Sequence, residues 1–254
     1  MSAQGTGERI TVPWGGEARR HVLPNGLTVL ILPDPATPLA SYQTWYRVGS
    51  RDETPGKTGI AHVMEHLLFG GAHVSEAGAF DRALERLGAE ANASTWLDYT
   101  CYHEAFPAPA LSTVLDLEAG RMKGLTIDPA VLGREIEVIA NERRFRVEDS
   151  VDGAMDEALM RTAFRVHPYG NPTIGTMEDI RGLTIEDLSE FHEAHYAPAN
   201  AVVVVAGGIA PGEAIREIEA RMGTIGPARA AARKKAPAEP DQDAERRVTI
   251  DRTV

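Results

Sequence analysis

The order in which strand-like and helix-like segments follow one another constrains the fold of this chain most. Two strands around a turn at Asn25 and Gly26 are expected over residues 20–33, and a third over residues 40–48. Two helices, two strands, several helices, one strand and one helix follow in that order. Strands and helices that come in separate runs favour an α+β fold over a regular βαβ alternation.

Local signals place the later elements of the chain. Helices are expected over residues 58–71, 79–87, 108–123, 128–148, 152–164, 185–196 and 211–222, and strands over residues 90–96, 99–106 and 200–206. Thr58 is the expected cap of the first helix, and Gly70 is expected to end it. Asp128 followed by Pro129 is a strong start signal for the fourth helix.

The two ends of the chain differ in composition from the middle. Residues 1–19 are expected to form a flexible N-terminus, because the first ten are polar and glycine-rich. Residues 20–226 are expected to form one domain. Residues 227–246 are rich in alanine and proline and read as a linker, with a frayed amphipathic helix as the alternative. Residues 247–254 read as the first strand of a second domain that is otherwise absent.

Charge and composition exclude several classes of protein. The 254 residues carry a formal net charge of −11, the opposite of the balance that nucleic-acid binders show. No run of 18 apolar residues is present, so a membrane-spanning helix is not expected. The single cysteine, Cys101, allows neither an intramolecular disulfide nor a cysteine-rich zinc site. Without a recognisable signal peptide the chain is expected to be cytoplasmic, and a mature periplasmic or secreted form fits as well.

The most informative motif is the sequence from His62 to His66, which has the order H-x-x-E-H. Residues four apart on a helix lie on the same face, so both imidazoles can reach one metal ion. Glu65 lies on the same stretch and can take a proton from water beside that ion. A surface helix with two solvated histidines and a solvated glutamate is the alternative interpretation.

A catalytic zinc site needs a third protein ligand, and a carboxylate is the natural choice beside two histidines. Glu135, Ile139 and Glu142 occupy one stripe of the helix predicted over residues 128–148. The isoleucine suggests that this stripe faces inward, where carboxylates are costly unless they are paired or bound to a cation. Alternatively, Ile139 belongs to a neighbouring apolar face and both glutamates are solvated.

The motif followed at a distance by Glu142 resembles the zinc site of the M16 metallopeptidases. That family includes pitrilysin, insulin-degrading enzyme (insulinase) and the mitochondrial processing peptidases. Five segments are similar to the family and occur in the same order: residues 23–29 (LPNGLTV), 59–69 (GIAHVMEHLLF), 92–100 (NASTWLDYT), 167–170 (HPYG) and 196–205 (YAPANAVVVV). The resemblance covers about residues 20–225.

The resemblance implies a role for each matching position. His62, His66 and Glu142 would hold one zinc ion per chain, and Glu65 would be the general base. Glu135 matches a family glutamate that lies close to the site and supports catalysis there. The implied fold is a mostly antiparallel β-sheet packed against a layer of helices.

Substrate and partners are implied by the same resemblance. Asn92 and Ala93 match an edge strand on which family members bind the substrate as an added strand. The implied activity is that of a zinc-dependent endopeptidase acting on extended peptides or unfolded segments. A second M16-type domain or subunit would complete the chamber around the substrate. The alternative function is that of a non-catalytic scaffold or partner subunit in an M16-like heterodimer.

Overall fold

The computed structural model of the protein describes residues 7–13, 16–70, 79–226, 233 and 235–251. In these residues one sheet contains the strands β1 (Glu8–Thr11), β2 (Glu17–Val22), β3 (Thr28–Pro33), β4 (Leu39–Tyr46), β5 (Glu90–Thr95), β6 (Thr100–Pro107) and β7 (Ala201–Gly207). The helices are α1 (Ile60–Phe69), α2 (Ala79–Arg86), α3 (Leu111–Lys123), α4 (Pro129–Arg143), α5 (Val151–Ala163), α6 (Met177–Gly182), α7 (Ile185–His195) and α8 (Pro211–Met222). The predicted α+β class is confirmed.

Strand β7 joins the two halves of the sheet, whose strand order is β1-β2-β3-β7-β4-β6-β5. It pairs in parallel with β3, where Val203 lies opposite Val29, and antiparallel with β4, where Val203 lies opposite Thr44. The other strand pairs are antiparallel, so the predicted mostly antiparallel sheet is confirmed. The valine run of β7 suits this central place, because β-branched side chains pack well within a sheet. Strand β5 forms one edge.

One face of the sheet packs against the helices. Alternate residues of β4 are buried, among them Tyr42 and Tyr46, while Ser41 and Gln43 are partly exposed. This alternation is typical of a sheet with one covered face. Helix α1 belongs to the same core, since most of its apolar side chains are fully buried there. The core therefore holds α1 firmly against the strands.

The start of α1 differs from the prediction. Its N-cap is Gly59, at a φ of +89°, a left-handed conformation that glycine adopts without strain. The capping group comes from Glu53, whose carboxylate accepts hydrogen bonds from the N–H groups of Gly59 (2.9 Å) and Ala61 (3.0 Å). The expected Thr58 cap is wrong, because the hydroxyl of Thr58 donates to the carboxylate of Asp179 instead.

Helix α4 begins as predicted and ends earlier. The carboxylate of Asp128 accepts a hydrogen bond of 2.7 Å from the N–H of Ala130, and Pro129 occupies the first helical position. The α-helix ends at Arg143, and residues 144–148 form a π-helical turn. Such turns interrupt helices locally and re-aim the residues around them.

The structure differs from the expectation at the N-terminal end of the chain and leaves the expectation at the C-terminal end a prediction. Residues 1–19 were expected to be flexible, yet β1 (Glu8–Thr11) pairs with β2 along the edge of the sheet. A polar edge strand shows little hydrophobic alternation, which is why its sequence gives no strand signal. Among the described residues, 247–251 have no assigned strand, and residues 252–254 lie outside the described part of the chain, so the expected start of a second domain stays a prediction. The division of the chain into domains stays a prediction.

The predicted linker runs along the protein surface in an extended form. Its described residues after position 234 contain no helix, so the frayed-helix alternative does not apply to them. The carboxylate of Glu239 accepts hydrogen bonds of 2.8–2.9 Å from the backbone N–H groups of residues 165–167. Arg246 donates to the carbonyl oxygens of residues 162 and 163 at 3.0 and 3.1 Å. These contacts attach the linker to the end of α5.

A fully buried charged cluster connects β6 to α3. The side chains of Glu104, Glu118 and Arg121 are each 1% exposed. One guanidinium nitrogen of Arg121 lies 2.7 Å from Glu118 and 3.4 Å from Glu104, and the guanidinium lies 4.5 Å from the ring centroids of Phe80 and Tyr102. Burial raises the pKa of Glu104 well above its ordinary value, and the charge of Glu118 raises it further. Glu104 therefore keeps its proton, while Glu118 pairs with Arg121.

We expect Glu104→Gln to be tolerated and Glu118→Gln to lower the free energy of unfolding by about 1–3 kcal/mol. Because the folded protein holds the Glu104 proton more tightly than the unfolded chain, this group's stabilising contribution is lost as pH rises above its unfolded pKa. The stability of E104Q relative to the parent should therefore increase between pH 5.5 and pH 8. Urea unfolding at both pH values measures this, and an equal loss of stability in both variants would contradict the assignment.

Candidate metal centre

Helix α1 presents two imidazoles on one face. His62 and His66 lie one turn apart, with ring centroids 4.7 Å from each other. The opposite face of the helix carries Val63, Met64 and Leu67, which are buried in the core. Because that apolar face is held against the sheet and its neighbours, the histidine face is directed toward α4. The spacing of the two histidines in the sequence is the reason they meet.

Helix α4 brings a carboxylate to the same place. Oε2 of Glu142 lies 3.7 Å from Nε2 of His62 and 3.5 Å from Nε2 of His66. One ligand atom from each of the three residues lies within 4.8 Å of the other two. Zinc bonds to nitrogen and oxygen are about 2.0–2.2 Å long, which places the ligand atoms of a tetrahedral ion about 3.3–3.6 Å apart. The observed arrangement fits a divalent ion of this size.

The surroundings of the cluster orient its members. Oε2 of Glu135 lies 3.3 Å from Nδ1 of His66, leaving Nε2 of this histidine on the Glu142 side. Nε of Arg146 lies 3.1 Å from the second oxygen of Glu142. Ile139, between the two glutamates on the stripe, is fully buried, so the inward-facing interpretation of that stripe is the one the structure adopts. Carboxylate partners of this kind set the orientation of ligating histidines in metal sites.

Glu65 lies beside the cluster without belonging to it. Its side chain lines the same cavity of about 620 Å³ as His62, His66 and Glu142. Its Oε2 atom is buried and has no hydrogen-bond partner among the described residues. Burial raises the pKa of Glu65 above its ordinary value. A carboxylate with a raised pKa and an unused oxygen in a cavity is a suitable proton acceptor.

The two histidines differ in proton affinity when no metal is bound. Burial, helped by the nearby charge of His66, lowers the pKa of His62 to about 4. Burial also acts on His66, but hydrogen bonds to Glu135 and Glu142 outweigh it and raise the pKa of His66 to about 9. The hydrogen bond from His66 in turn lowers the pKa of Glu142. At neutral pH the cluster therefore holds one imidazolium, at His66, next to an ionised Glu142.

The edge strand β5 borders the cluster. Asn92 and Ala93, the predicted substrate-binding residues, line the same cavity as the histidines. Within the described residues β5 pairs with β6 alone, so its outer edge faces away from the sheet. The N–H of Ala93 donates a hydrogen bond of 2.8 Å to the side-chain oxygen of Asn92. A single side chain thus covers a backbone donor on this edge.

A second cavity of about 460 Å³ adjoins the first. His62, Glu142 and Arg146 line both cavities, so the cluster lies between them. Apolar side chains contribute to the second cavity from three places: the end of β5, α5 and the loop before α6. Among them are Leu97, Met160 and Ile174. Together the cavities form a groove on either side of the metal-ligand cluster.

Two residues that shape the centre, Glu53 and Arg143, have no signal in the sequence. Glu53 caps α1 from outside the helix, and no local capping pattern indicates a residue six positions earlier. Arg143 is only 8% exposed, although it follows Glu142 in a run of charged residues that reads as a solvated surface. A buried arginine among carboxylates can be recognised only when its partners from other elements are known.

Fold and site together define a class of protein. An α+β domain carries two histidines and one glutamate in the ligand pattern of catalytic zinc sites, with a further glutamate at hand. Residues 28–177 match the family model described as Insulinase (Peptidase family M16), and residues 182–253 match the model described as Peptidase M16 inactive domain. The chain belongs to peptidase family M16, as the sequence motifs predicted.

Individual relatives agree with this family. The zinc protease PqqE of Helicobacter pylori is 39% identical over 188 residues, which are 74% of this chain and 42% of that protein. An uncharacterized zinc protease of Streptomyces coelicolor is 31% identical over 205 residues, 81% of this chain and 44% of that protein. The crystal structure of a protease from Helicobacter pylori has a TM-score of 0.86 at 34% identity, covering 90% of this chain and 56% of the other.

The chain spans less than half the length of these two curated relatives. Zinc is the metal that their names specify, and the cluster of His62, His66 and Glu142 is suited to it. Among the helices in the described part of the chain, none has the length and apolar character needed to span a bilayer.

The difference between the two histidines is testable in metal-free protein. In NMR titrations we expect the imidazole of His66 to titrate near pH 9 and that of His62 near pH 4. Because Glu135 stabilises the charged form of His66, Glu135→Gln should lower the pKa of His66 by roughly 1 unit. The variants H62Q and H66Q assign the signals, and two histidines titrating together near 6.5 would refute the described hydrogen bonding.

Proposed function

We propose that this chain is the catalytic domain of a zinc endopeptidase. The observation that carries the proposal is the convergence of His62, His66 and Glu142 from two helices, with Glu65 lining the same cavity. Two imidazoles and one carboxylate leave a fourth position of a tetrahedral ion open, which catalytic zinc sites require. We assign one zinc ion per chain to this cluster.

In the proposed hydrolysis of a peptide bond, the metal and Glu65 have separate roles. When bound, zinc supplies a Lewis acid that polarises a carbonyl group and lowers the pKa of water. Glu65 accepts the proton of the attacking water at its free Oε2 and returns it to the departing amine. Its raised pKa suits both steps, because an acceptor that holds its proton moderately well can also release it.

Two further side chains keep the ligands in position. Glu135 accepts the hydrogen bond from Nδ1 of His66, so it orients this imidazole and increases its basicity toward a metal. The guanidinium of Arg146 lies beside Oε1 of Glu142 and offsets part of the negative charge of that carboxylate. We therefore assign Glu135 a supporting role at the catalytic site.

The shape of the groove supports an extended peptide as the substrate. Strand β5 offers an outer edge at Asn92 and Ala93, and a peptide can bind such an edge through main-chain hydrogen bonds. The two cavities lie on either side of the metal-ligand cluster, so a bound peptide can extend in both directions from the bond that is cleaved. That arrangement suits cleavage within a peptide or an unfolded segment.

A partner is part of the proposal. Because the chain spans about half or less of the curated relatives named above, a second M16-type domain or subunit is expected to close the groove from the other side. The cytoplasm is the predicted compartment, with a mature periplasmic or secreted form as the alternative.

The second candidate is a non-catalytic subunit. The match of residues 182–253 to the family's inactive domain favours it. Against it, the complete ligand set lies in residues 28–177, the part that matches the peptidase model. Metal analysis separates the two candidates, because a non-catalytic subunit has no need to retain zinc.

We expect purified chain to bind one zinc ion and Glu65→Gln to keep that ion while losing at least about 100-fold in peptide hydrolysis. The reason is that Glu65 moves a proton but does not hold the metal. Metal content by mass spectrometry and cleavage of a fluorogenic peptide, assayed for the chain and for the full-length gene product, provide the measurements.

Glu142→Gln is the matched control for that experiment, since the same chemical change at a ligand should lose zinc. Hydrolysis by E65Q at the parent rate would contradict the mechanism. A wild-type chain that retains no zinc after dialysis at neutral pH would favour the non-catalytic subunit.

Ala93→Pro tests the edge strand. Proline removes the N–H that an added peptide strand would use, and proline is tolerated on edge strands, which have a neighbouring strand on one side alone. We expect about 10-fold slower peptide cleavage with unchanged zinc content. Ala93→Ser is the control: it keeps the backbone N–H and should not slow cleavage. Equal rates for A93P and the parent would mean that the substrate binds elsewhere.

A further inference from the structure

We propose that Arg143 is a positioning residue for the metal centre. It lies at the end of α4, next to Glu142, and its guanidinium connects that end to the first turn of α1, which carries His62. The inference rests on the proposed function, because it concerns the distance between two proposed zinc ligands. Arg143 itself lies outside the ligand set.

The side chain of Arg143 is buried and its partners come from three separate segments. Nη1 donates a hydrogen bond of 2.5 Å to the carbonyl oxygen of Gly175. Nη2 and Nη1 lie 3.2 and 3.0 Å from the two carboxylate oxygens of Glu157 on α5. Nε lies 3.5 Å from Glu148 in the π-helical turn. A buried guanidinium is stable only with such partners, so its position and theirs are mutually dependent.

The contact with Gly175 extends the connection to α1. Gly175 has a φ of +81°, and a Cβ atom placed there would lie 2.3 Å from the carbonyl oxygen of Thr58 and 2.7 Å from the Cα of Gly59. The backbone of this loop therefore lies directly on the residues that start α1. The hydroxyl of Thr58 accepts a hydrogen bond of 3.0 Å from the N–H of Thr176, which holds the two segments together.

The first turn of α1 is rigid on its other side. The carboxylate of Glu53 accepts hydrogen bonds from the N–H groups of Gly59 and Ala61. His62 follows immediately, in the same turn. The start of α1 is thus held from two sides, and loss of the support at Gly175 leaves the position of the His62 imidazole relative to Glu142 less well defined.

The forked shape of arginine is needed for this connection. A lysine at position 143 keeps the charge near Glu157, but a single ammonium cannot reach Glu157, Gly175 and Glu148 together. The adjacent Arg144 offers a matched control, because its guanidinium donates to Asn141 within its own helix end and reaches neither α1 nor α5.

The test compares Arg143→Lys with Arg144→Lys in the folded chain. Zinc affinity is measured by competition with a chromogenic chelator, and ligand geometry by the visible absorption of the cobalt-substituted protein. We expect R143K to bind zinc at least about 10-fold more weakly and to show a changed cobalt spectrum. R144K should match the parent in both measurements.

Glu118→Gln separates positioning from stability, because it weakens the fold in the buried cluster between β6 and α3, away from the contacts of Arg143. It should leave zinc affinity and the cobalt spectrum unchanged. Should R143K fail to fold, Glu157→Gln, which removes the negative charge of one partner and keeps the arginine, is expected to weaken zinc binding in the same direction.

Zinc affinity within twofold of the parent in R143K, or in E157Q if R143K does not fold, would overturn the positioning role. So would an equal loss in E118Q, which would trace the effect to general stability. Failure of the parent chain itself to bind zinc would overturn the proposed function instead, so the two failures are distinguishable.

Discussion

The contact between α1 and α4 is the interaction on which the candidate centre depends. It brings Glu142 within 3.7 Å of two imidazoles, in surroundings where an unpaired carboxylate would be costly. The sheet buries the apolar face of α1. On α4, the fully buried Ile139 belongs to the same hydrophobic core. Ligands that come from two separate helices can converge only if the packing of those helices is well defined.

Charge compensation explains how so many ionisable groups share a small volume. In the metal-free centre, protonated His66 lies between Glu135 and Glu142 and offsets their negative charge. A divalent cation can replace that proton. The separate cluster around Arg121 buries two carboxylates without a metal, since one of them, Glu104, keeps a proton. A bound cation and a retained proton are thus alternative ways to bury carboxylates in this fold.

The position of the centre at the edge of the sheet matters for function. A metal site enclosed in the core would admit only small molecules, whereas the outer edge of β5 and the cavities beside it form an open groove. Membership of peptidase family M16 is consistent with such a groove. The predicted linker is held beside α5 through Glu239 and Arg246.

Elements that have local causes can be predicted from the chain alone. The spacing of His62 and His66, the stripe that ends at Glu142, the Asp128 cap and the family motifs all follow from neighbouring residues along the chain. The pairing of β1 and the capping of α1 by Glu53 involve nearby residues, yet neither a polar edge strand nor a cap six positions before Gly59 has a recognisable local pattern. The insertion of β7 into the sheet and the burial of Arg143 depend on contacts between segments far apart in sequence, and such contacts leave no periodic pattern in the chain.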